Sequence, residues 1–264
     1  MEYEVIVIIL ITEKGSSDTN IKNLKYVFSD PFFKTESIMV NPPKNITPVK
    51  KVTMYDLINN HRYKKSIEYA EEIDSAKPVI TILDTSISYE TPISMRNKIE
   101  NLITNVNFDL CYLCKWYDEC ELSKEVENYV SNDGIKLYYT NNARGTQALL
   151  LKERGKDFLL QRNEFMSEDI KPFHDLLYTQ TKNPDFVTVC FTPNIVKYDI
   201  KFSKNSTDYL KLNECKLAQK NINNDTVIYI WFILLIILIL IVAWAVIKVS
   251  PEVKEKKKEK EIYV

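Results

Sequence analysis

Residues Val5–Ile11 read VIVIILI, an unbroken apolar run that is rich in β-branched side chains. Two later runs are also mainly apolar, VITIL at Val79–Leu83, which is β-branched as well, and DLCYL at Asp109–Leu113, which is apolar after its first residue. A strand with water on one face alternates apolar and polar residues, whereas a strand covered on both faces does not. These three runs therefore predict strands of a mostly parallel sheet with helices on both sides.

Helical periodicity appears between the strands, as a parallel sheet requires. The predicted helices are Tyr55–Ile73, Met95–Val106, Gly155–Gln161 and Asp169–Gln180. Shorter strands are predicted at Ser37–Val40, Ile135–Thr140, Thr146–Leu151 and Phe186–Phe191. This α/β order, without a linker or a repeat, predicts one domain over residues 1–212.

Composition excludes several classes of protein. The chain has 264 residues, of which 45% are hydrophobic, so it can bury a large core and is not a disordered chain. Its formal net charge of -1 argues against binding nucleic acid through bulk charge. Neither a P-loop nor a dinucleotide-binding glycine motif occurs among its 4 glycines. Cys111 and Cys114 form half of a zinc-ribbon pattern but lie in an apolar run, which favours buried free thiols.

The segment Thr226–Ile247 is apolar throughout and carries no charge. At 1.5 Å per residue a helix of this length spans about 33 Å, enough to cross the hydrocarbon core of a bilayer. Aromatic residues lie near both of its ends, where interfacial belts form. We therefore predict a transmembrane helix at 226–247, preceded by a polar stalk at 213–225 and followed by a charged Lys/Glu tail at 248–264.

Two rules disagree about the orientation of this span. The Lys-rich tail favours a cytosolic C-terminus and an outward-facing domain under the positive-inside rule. The N-terminus, however, has acidic residues at Glu2 and Glu4 and no signal-peptide pattern. We therefore predict a C-terminally anchored domain that faces the cytosol or is exposed on a particle assembled there.

Five segments in order resemble glycosyltransferase family 25, the lipooligosaccharide and procollagen galactosyltransferases. They are VITILDTS at Val79–Ser86, FDLCYL at Phe108–Leu113, GTQALLL at Gly145–Leu151 followed by Gly155, FHDLL at Phe173–Leu177, and Asn60-His61. The resemblance covers roughly residues 3–200. It implies a GT-A fold, a Rossmann-like sheet whose strand ends hold a nucleotide sugar.

The resemblance also implies a set of site residues. The nucleotide-sugar contacts would be Thr12, Glu13, Asp84, Thr85, Ser86, Gly145 and Thr146. Asp84 would bind Mg²⁺ or Mn²⁺ together with a UDP-sugar, and Asp175 would be the catalytic carboxylate. Alternatives remain open for each: a turn cap for Asp84, a helix first-turn residue for Asp175, and a plain loop at Thr12 and Glu13.

This chain departs from the family at its metal-binding motif. The family has Glu-Asp-Asp after the central strand, whereas this sequence has Asp84-Thr85-Ser86. Hydroxyls are poor substitutes for carboxylates around a hard cation, so weak or absent transferase activity is expected.

A glycosyltransferase-like domain with a C-terminal span also resembles poxvirus mature-virion envelope proteins that have this fold and bind heparan sulfate. That resemblance implies a virion surface protein that attaches to cell-surface glycosaminoglycan through a basic patch. The candidate glycan-binding residues are Lys50, Lys51, Arg62, Lys64 and Lys65. Two other functions stay open, an active metal-dependent glycosyltransferase and a structural membrane or capsid-scaffold protein.

Overall fold

The computed structural model describes residues 3–12, 18–41, 54–116, 118, 123–131, 133–161 and 172–199. The strands are β1 Val5–Ile11, β2 Phe33–Met39, β3 Val79–Leu83, β4 Ser86–Ile87, β5 Leu110–Cys114, β6 Lys124–Glu125, β7 Lys136–Tyr139, β8 Ala148–Leu151, β9 Thr188–Thr192 and β10 Lys197–Tyr198. The helices are α1 Asp18–Val27, α2 Met54–Asp74, α3 Pro92–Asn105, α4 Glu153–Gln161 and α5 Phe173–Thr181.

Within those residues, eight strands form one sheet in the order β2-β1-β3-β8-β5-β9-β7-β6. Strands β2, β1, β3, β5 and β9 run in the same direction, and β8 runs against its neighbours β3 and β5. A separate pair joins β4 to β10. The fold is a mixed α/β architecture with a mostly parallel, Rossmann-like central sheet, as the sequence predicted.

Strand β1 shows why the apolar runs form the centre of the sheet. Its residues from Val5 to Leu10 are at most 1% exposed. Val5, Val7 and Ile9 face one core cluster, to which α1 and α3 contribute, and Ile6, Ile8 and Leu10 face a second cluster, to which α2, α4 and α5 contribute. Both faces of the sheet are thus covered.

Helix α2 places its apolar side on the second of these clusters. Tyr63, Ile67 and Ala70 are buried at helical spacing against the sheet, and the helix packs on β1 and β3. Its predicted bounds, Tyr55–Ile73, agree with the observed helix within one residue at each end.

Other elements differ from the sequence prediction. Strand β2 begins four residues before the predicted Ser37, and helix α1 was not predicted. The segment Asp18–Val27 carries few apolar residues, of which Leu24 and Val27 are buried. The predicted helix start at Asp169 falls outside the described residues.

The chain divides into two compact units, residues 1–216 and 217–264, and every described residue belongs to the first. Among the described helices none is both long and apolar enough to cross a membrane. The predicted span at 226–247, its stalk at 213–225 and the tail at 248–264 lie outside the described residues and stay predictions.

Candidate functional site

The candidate site lies where the order of the sheet changes direction. The carboxyl ends of β1, β3 and β5 reach the same edge as the amino end of β8, because β8 runs the opposite way between β3 and β5. Ligands of open α/β sheets bind beyond such strand ends, at points where the topology switches. This edge, called the carboxyl edge below, carries Thr12 after β1, Asp84 after β3 and Thr146 before β8.

Thr12 and Asp84 are joined directly. The backbone N–H of Thr12 donates to Asp84 Oδ2 at 2.8 Å, and the Thr12 hydroxyl donates to Oδ1 at 2.8 Å. The Asp84 side chain is fully buried. Burial raises the pKa of Asp84, and the bonds from Thr12 and the positive charge of Arg62 offset this only in part. Asp84 therefore links the end of β3 to the end of β1 through these two hydrogen bonds.

The metal role predicted for Asp84 does not fit this arrangement. Both carboxylate oxygens already accept hydrogen bonds, and the residues that follow are the neutral Thr85 and Ser86. Nowhere in the described part of the chain do three or more His, Cys, Asp or Glu side chains come together as a possible metal site. Hard divalent cations are bound by several oxygen ligands, and the described residue that supplies a carboxylate directly after β3 is Asp84.

Arg62 occupies a place that the sequence did not predict. The sequence predicted an exposed, glycan-binding Arg62, but its side chain is 5% exposed on α2. Its Nε has no hydrogen-bond partner, and no carboxylate of a described residue is within ion-pair distance of it. Its charge acts on Asp84, whose pKa it lowers. Arg62 is therefore a buried residue of α2 and not part of an exposed basic patch.

Two hydroxyls beside Asp84 are also buried without a partner. The Oγ atoms of Thr85 and Ser86 are inaccessible to water and form no hydrogen bond. A buried polar group left unsatisfied costs about 1–3 kcal/mol, so such groups call for an explanation. Both follow directly on Asp84 at the end of β3.

Tyr63 links α2 to the loop before β8. Its hydroxyl donates a hydrogen bond to the backbone carbonyl of Thr146. On the other side its ring stacks on Phe173, with centroids 4.1 Å apart and planes at 10°. Because Phe173 begins α5, this contact fixes the first turn of α5, which holds His174 and Asp175, beside α2.

The predicted catalytic residue Asp175 lies in that first turn. Its carboxylate is 3.5 Å from His174 Nε2, and its side chain is 45% exposed. The His174 ring lies 5.9 Å from that of Trp116, which follows β5. The role of Asp175 as acid, base or helix first-turn residue stays a prediction.

Gly145 has a structural reason for its identity. A Cβ at this position would lie 2.7 Å from the carbonyl oxygen of Cys114 and 2.9 Å from the Cα of Lys115. The loop before β8 therefore passes against the end of β5, where Trp116 N–H donates to the Arg144 carbonyl at 2.6 Å. The resemblance assigned Gly145 to nucleotide binding, and the geometry adds this close packing of backbones.

Sequence reasoning missed two further clusters near this edge. Arg144 lies over the Tyr178 ring at 4.0 Å, and Lys182 lies over the same ring at 4.8 Å. Hydrogen bonds from Arg144 and Lys182 lower the pKa of Tyr178. No local pattern could have paired Arg144 with Tyr178, because the contact joins the β8 loop to α5.

The second cluster surrounds Lys115, which is fully buried. Its Nζ lies 3.2 Å from Asp118 Oδ2, 3.3 Å from Cys190 Sγ and 2.6 Å from Thr192 Oγ1. Burial alone would lower the pKa of Lys115, but Cys190 and Asp118 outweigh it and the net pKa is raised. Burial raises the pKa of Cys190 to about 12, so this thiol is inert. The cluster stabilises the end of β5.

Cys111, Cys114 and Cys190 are buried thiols that form no disulfide, which confirms the predicted thiols of the Cys-x-x-Cys pair. Cys120 and Cys215 lie outside the described residues.

The remaining described candidates for glycan binding are Lys64 and Lys65 on α2. Lys65 is exposed but forms an ion pair with Glu68 at 2.5 Å. It lines a cleft of about 370 Å³ between the end of β2 and α2, whose walls also carry Glu68 and Glu72. Lys64 is partly exposed on the same helix. Lys50, Lys51 and the nucleotide candidate Glu13 lie outside the described residues.

No protein-family model matches this sequence, and no curated protein shows significant similarity to it. Solved structures that resemble it include A197 from STIV, with a TM-score of 0.39 and 11% identity over 70% of this chain and 80% of that chain. Another is UDP-glucose pyrophosphorylase complexed with UDP-glucose, with a TM-score of 0.35 and 14% identity over 80% of this chain and 82% of that chain. Resemblances this weak assign neither a family nor a ligand.

Proposed function

We propose that this chain is a membrane-anchored, glycosyltransferase-like protein that binds a nucleotide sugar at its carboxyl edge. One observation carries the proposal. Buried polar groups without partners lie around this edge: the hydroxyls of Thr85 and Ser86 follow Asp84 directly, and the unpartnered Nε belongs to Arg62, the neighbour of Tyr63, which bonds the Thr146 carbonyl. A diphosphate supplies the acceptors that these groups lack.

The resemblance of VITILDTS and GTQALLL to family 25 supports a UDP-sugar as the nucleotide. Those two segments supply the ends of β3 and β8, which are hydrogen-bonded neighbours. The missing family carboxylates at Thr85 and Ser86 support a binding role with little or no sugar transfer.

The described surface favours this site over a sulfated-glycan patch. Arg62 is buried, and Glu68 opposes the charge of Lys65. Attachment of a virion through heparan sulfate would then depend on Lys50, Lys51 and Lys64. Strong heparin binding that is lost when these three lysines are neutralised would favour the glycan function instead.

The proposed site is tested by titrating the full-length chain, in detergent micelles, with UDP-glucose and UDP-galactose in a calorimeter. Saturable binding at one site is expected. Thr85→Val removes one unpartnered hydroxyl at the edge and should weaken binding about three- to tenfold, the worth of one hydrogen bond.

Thr81→Val is the matched control. Thr81 lies in the middle of β3, and its hydroxyl is also buried and without a partner. Its removal should leave the affinity unchanged. Absence of binding to either UDP-sugar, or equal losses in both variants, would contradict the proposed site.

A further inference from the structure

We infer that Arg62, in place of a divalent cation, neutralises the diphosphate of the bound nucleotide, so that binding needs no metal. The inference rests on the proposed nucleotide-sugar site and specifies how that site handles charge. It reverses the metal dependence that the family resemblance implies.

The donor set at the carboxyl edge is the first reason. A metal that bridges a diphosphate is favoured by a cluster of protein carboxylates. Asp84 is the carboxylate that follows β3, each of its oxygens accepts a hydrogen bond of 2.8 Å from Thr12, and the next residues are the neutral Thr85 and Ser86. This strand end therefore offers one carboxylate, already held by Thr12, where the family has three.

The charge of Arg62 is the second reason. Taking a guanidinium out of water costs several kcal/mol unless a partner compensates it. Arg62 is 5% exposed, no described carboxylate is within ion-pair distance of it, and its Nε is unpartnered. The Arg62 charge therefore has no direct ion-pair partner among the described residues, and a phosphate is the chemical class that a guanidinium binds in bidentate fashion.

Position is the third reason. Arg62 is preceded by the buried Asn60 and the half-buried His61 and followed by Tyr63, whose hydroxyl donates to the carbonyl of Thr146 at the carboxyl edge. The positive charge of Arg62, on that turn of α2, lowers the pKa of Asp84 and so offsets part of the effect of burial. Arg62 therefore lies on the turn of α2 that Tyr63 bonds to the carboxyl edge.

Asp84 then has a role opposite to that of a metal ligand. As a carboxylate near Arg62 it opposes an incoming diphosphate, because like charges in a buried site repel strongly. Asp84→Asn keeps an oxygen for the Thr12 N–H and an amide group for the Thr12 hydroxyl while removing the charge. The inference predicts tighter nucleotide binding in this variant, whereas a metal-bridged site predicts its loss.

The test is titration of the full-length chain with UDP in the presence of EDTA, Mg²⁺ or Mn²⁺. The dissociation constants should agree within about twofold across the three conditions. Arg62→Gln should weaken binding by tenfold or more, Arg62→Lys should restore part of it, and Asp84→Asn should tighten it.

Lys65→Gln is the matched control, since it removes one positive charge one turn along the same helix. It should leave the affinity unchanged. Thermal unfolding of each variant shows whether it is folded, and Asp84→Asn keeps the inference testable if Arg62→Gln does not fold.

Three results separate the two proposals. Binding of UDP only with Mg²⁺ or Mn²⁺ present, or its loss in Asp84→Asn, overturns the Arg62 inference and leaves the nucleotide site standing. Absence of UDP binding under all conditions overturns both. Metal-independent binding with equal losses in Arg62→Gln and Lys65→Gln overturns the role of Arg62 alone.

Discussion

Thr12 donates two hydrogen bonds to Asp84, one from its backbone N–H and one from its hydroxyl, across 72 residues of sequence. The pair joins the ends of β1 and β3 at the carboxyl edge. It gives the carboxylate after β3 a structural role, as the acceptor for Thr12.

Asp84→Asn should stabilise the folded protein in a pH-dependent way. Burial raises the pKa of Asp84 in the folded state, so the folded chain binds more protons than the unfolded chain between the unfolded and folded pKa values. The free energy of unfolding of the native protein therefore falls as pH rises through that window. The advantage of Asp84→Asn should be small near pH 4 and larger near pH 7.

Urea unfolding of both proteins from pH 4 to pH 8 measures this difference. Each unit by which the pKa is raised corresponds to about 1.4 kcal/mol at neutral pH. If the native protein instead gained stability relative to Asp84→Asn as pH rises, the folded state would favour the ionised form of Asp84. That result would contradict the prediction.

Thr12→Val and Thr81→Val should have opposite effects on stability. The first removes a donor to a buried carboxylate and should cost about 1–3 kcal/mol, a range typical of bonds to charged groups. The second removes a buried hydroxyl that has no partner, so it should be neutral or stabilising. Chemical denaturation compares the two, and equal losses would mean that the Thr12–Asp84 bond contributes nothing.

Gly145→Ala should destabilise the chain by forcing the β8 loop off the end of β5. Overpacking against backbone atoms costs about 1–3 kcal/mol. Gly134→Ala is the control, because Gly134 has φ 77° and no atom within 4 Å of an added Cβ. The expected loss of stability in Gly134→Ala is about 1–2 kcal/mol, the cost of placing an alanine in the left-handed conformation. Retained UDP-sugar affinity in Gly134→Ala with reduced affinity in Gly145→Ala would show that the loop position matters for the site.

Tyr63→Phe should separate a hydrogen bond from a ring contact. It removes the bond to the Thr146 carbonyl and keeps the stacking on Phe173. We expect a loss of stability of about 1 kcal/mol. Tyr63→Ala removes both contacts and should cost about 3–5 kcal/mol. Similar losses in the two variants, measured by urea unfolding, would mean that the ring contributes little.

The predicted anchor is tested by alkaline carbonate extraction of membranes from cells that express the full-length chain. We expect the chain in the membrane pellet. Leu235→Arg together with Leu238→Arg should release it, since each charge at mid-helix costs about 2.5–3.5 kcal/mol on insertion. The double alanine variant at the same positions is the control and should stay in the pellet. Full extraction of the unmodified chain would remove the anchor from the proposal.

The sequence predicted the central strands well because their chemistry is local. Val5–Ile11 and Val79–Leu83 are apolar at every position or nearly so, and the structure buries them on both faces. Strand β8, with the sequence ALLL, is equally apolar but antiparallel. Apolar runs report burial and carry no information on direction.

The site was predicted only in part because its contacts are long-range. Asp84 and Thr12 were named, but the bond between them has no local signal. Arg62 was assigned to the surface because charged side chains are rarely buried, and its neighbours Lys64 and Lys65 do lie further outside. Only the packing of α2 on β1 and β3 shows that Arg62 faces inward.

The measurement that tests the nucleotide site most directly is hydrogen–deuterium exchange of the full-length chain with and without saturating UDP-glucose. The account predicts slower exchange in peptides that cover Thr12, Asp84–Ser86 and Gly145–Gln147, with no change in β6 and β7. Unchanged exchange at the carboxyl edge, or protection confined to other segments, would contradict the claim that a nucleotide sugar binds there.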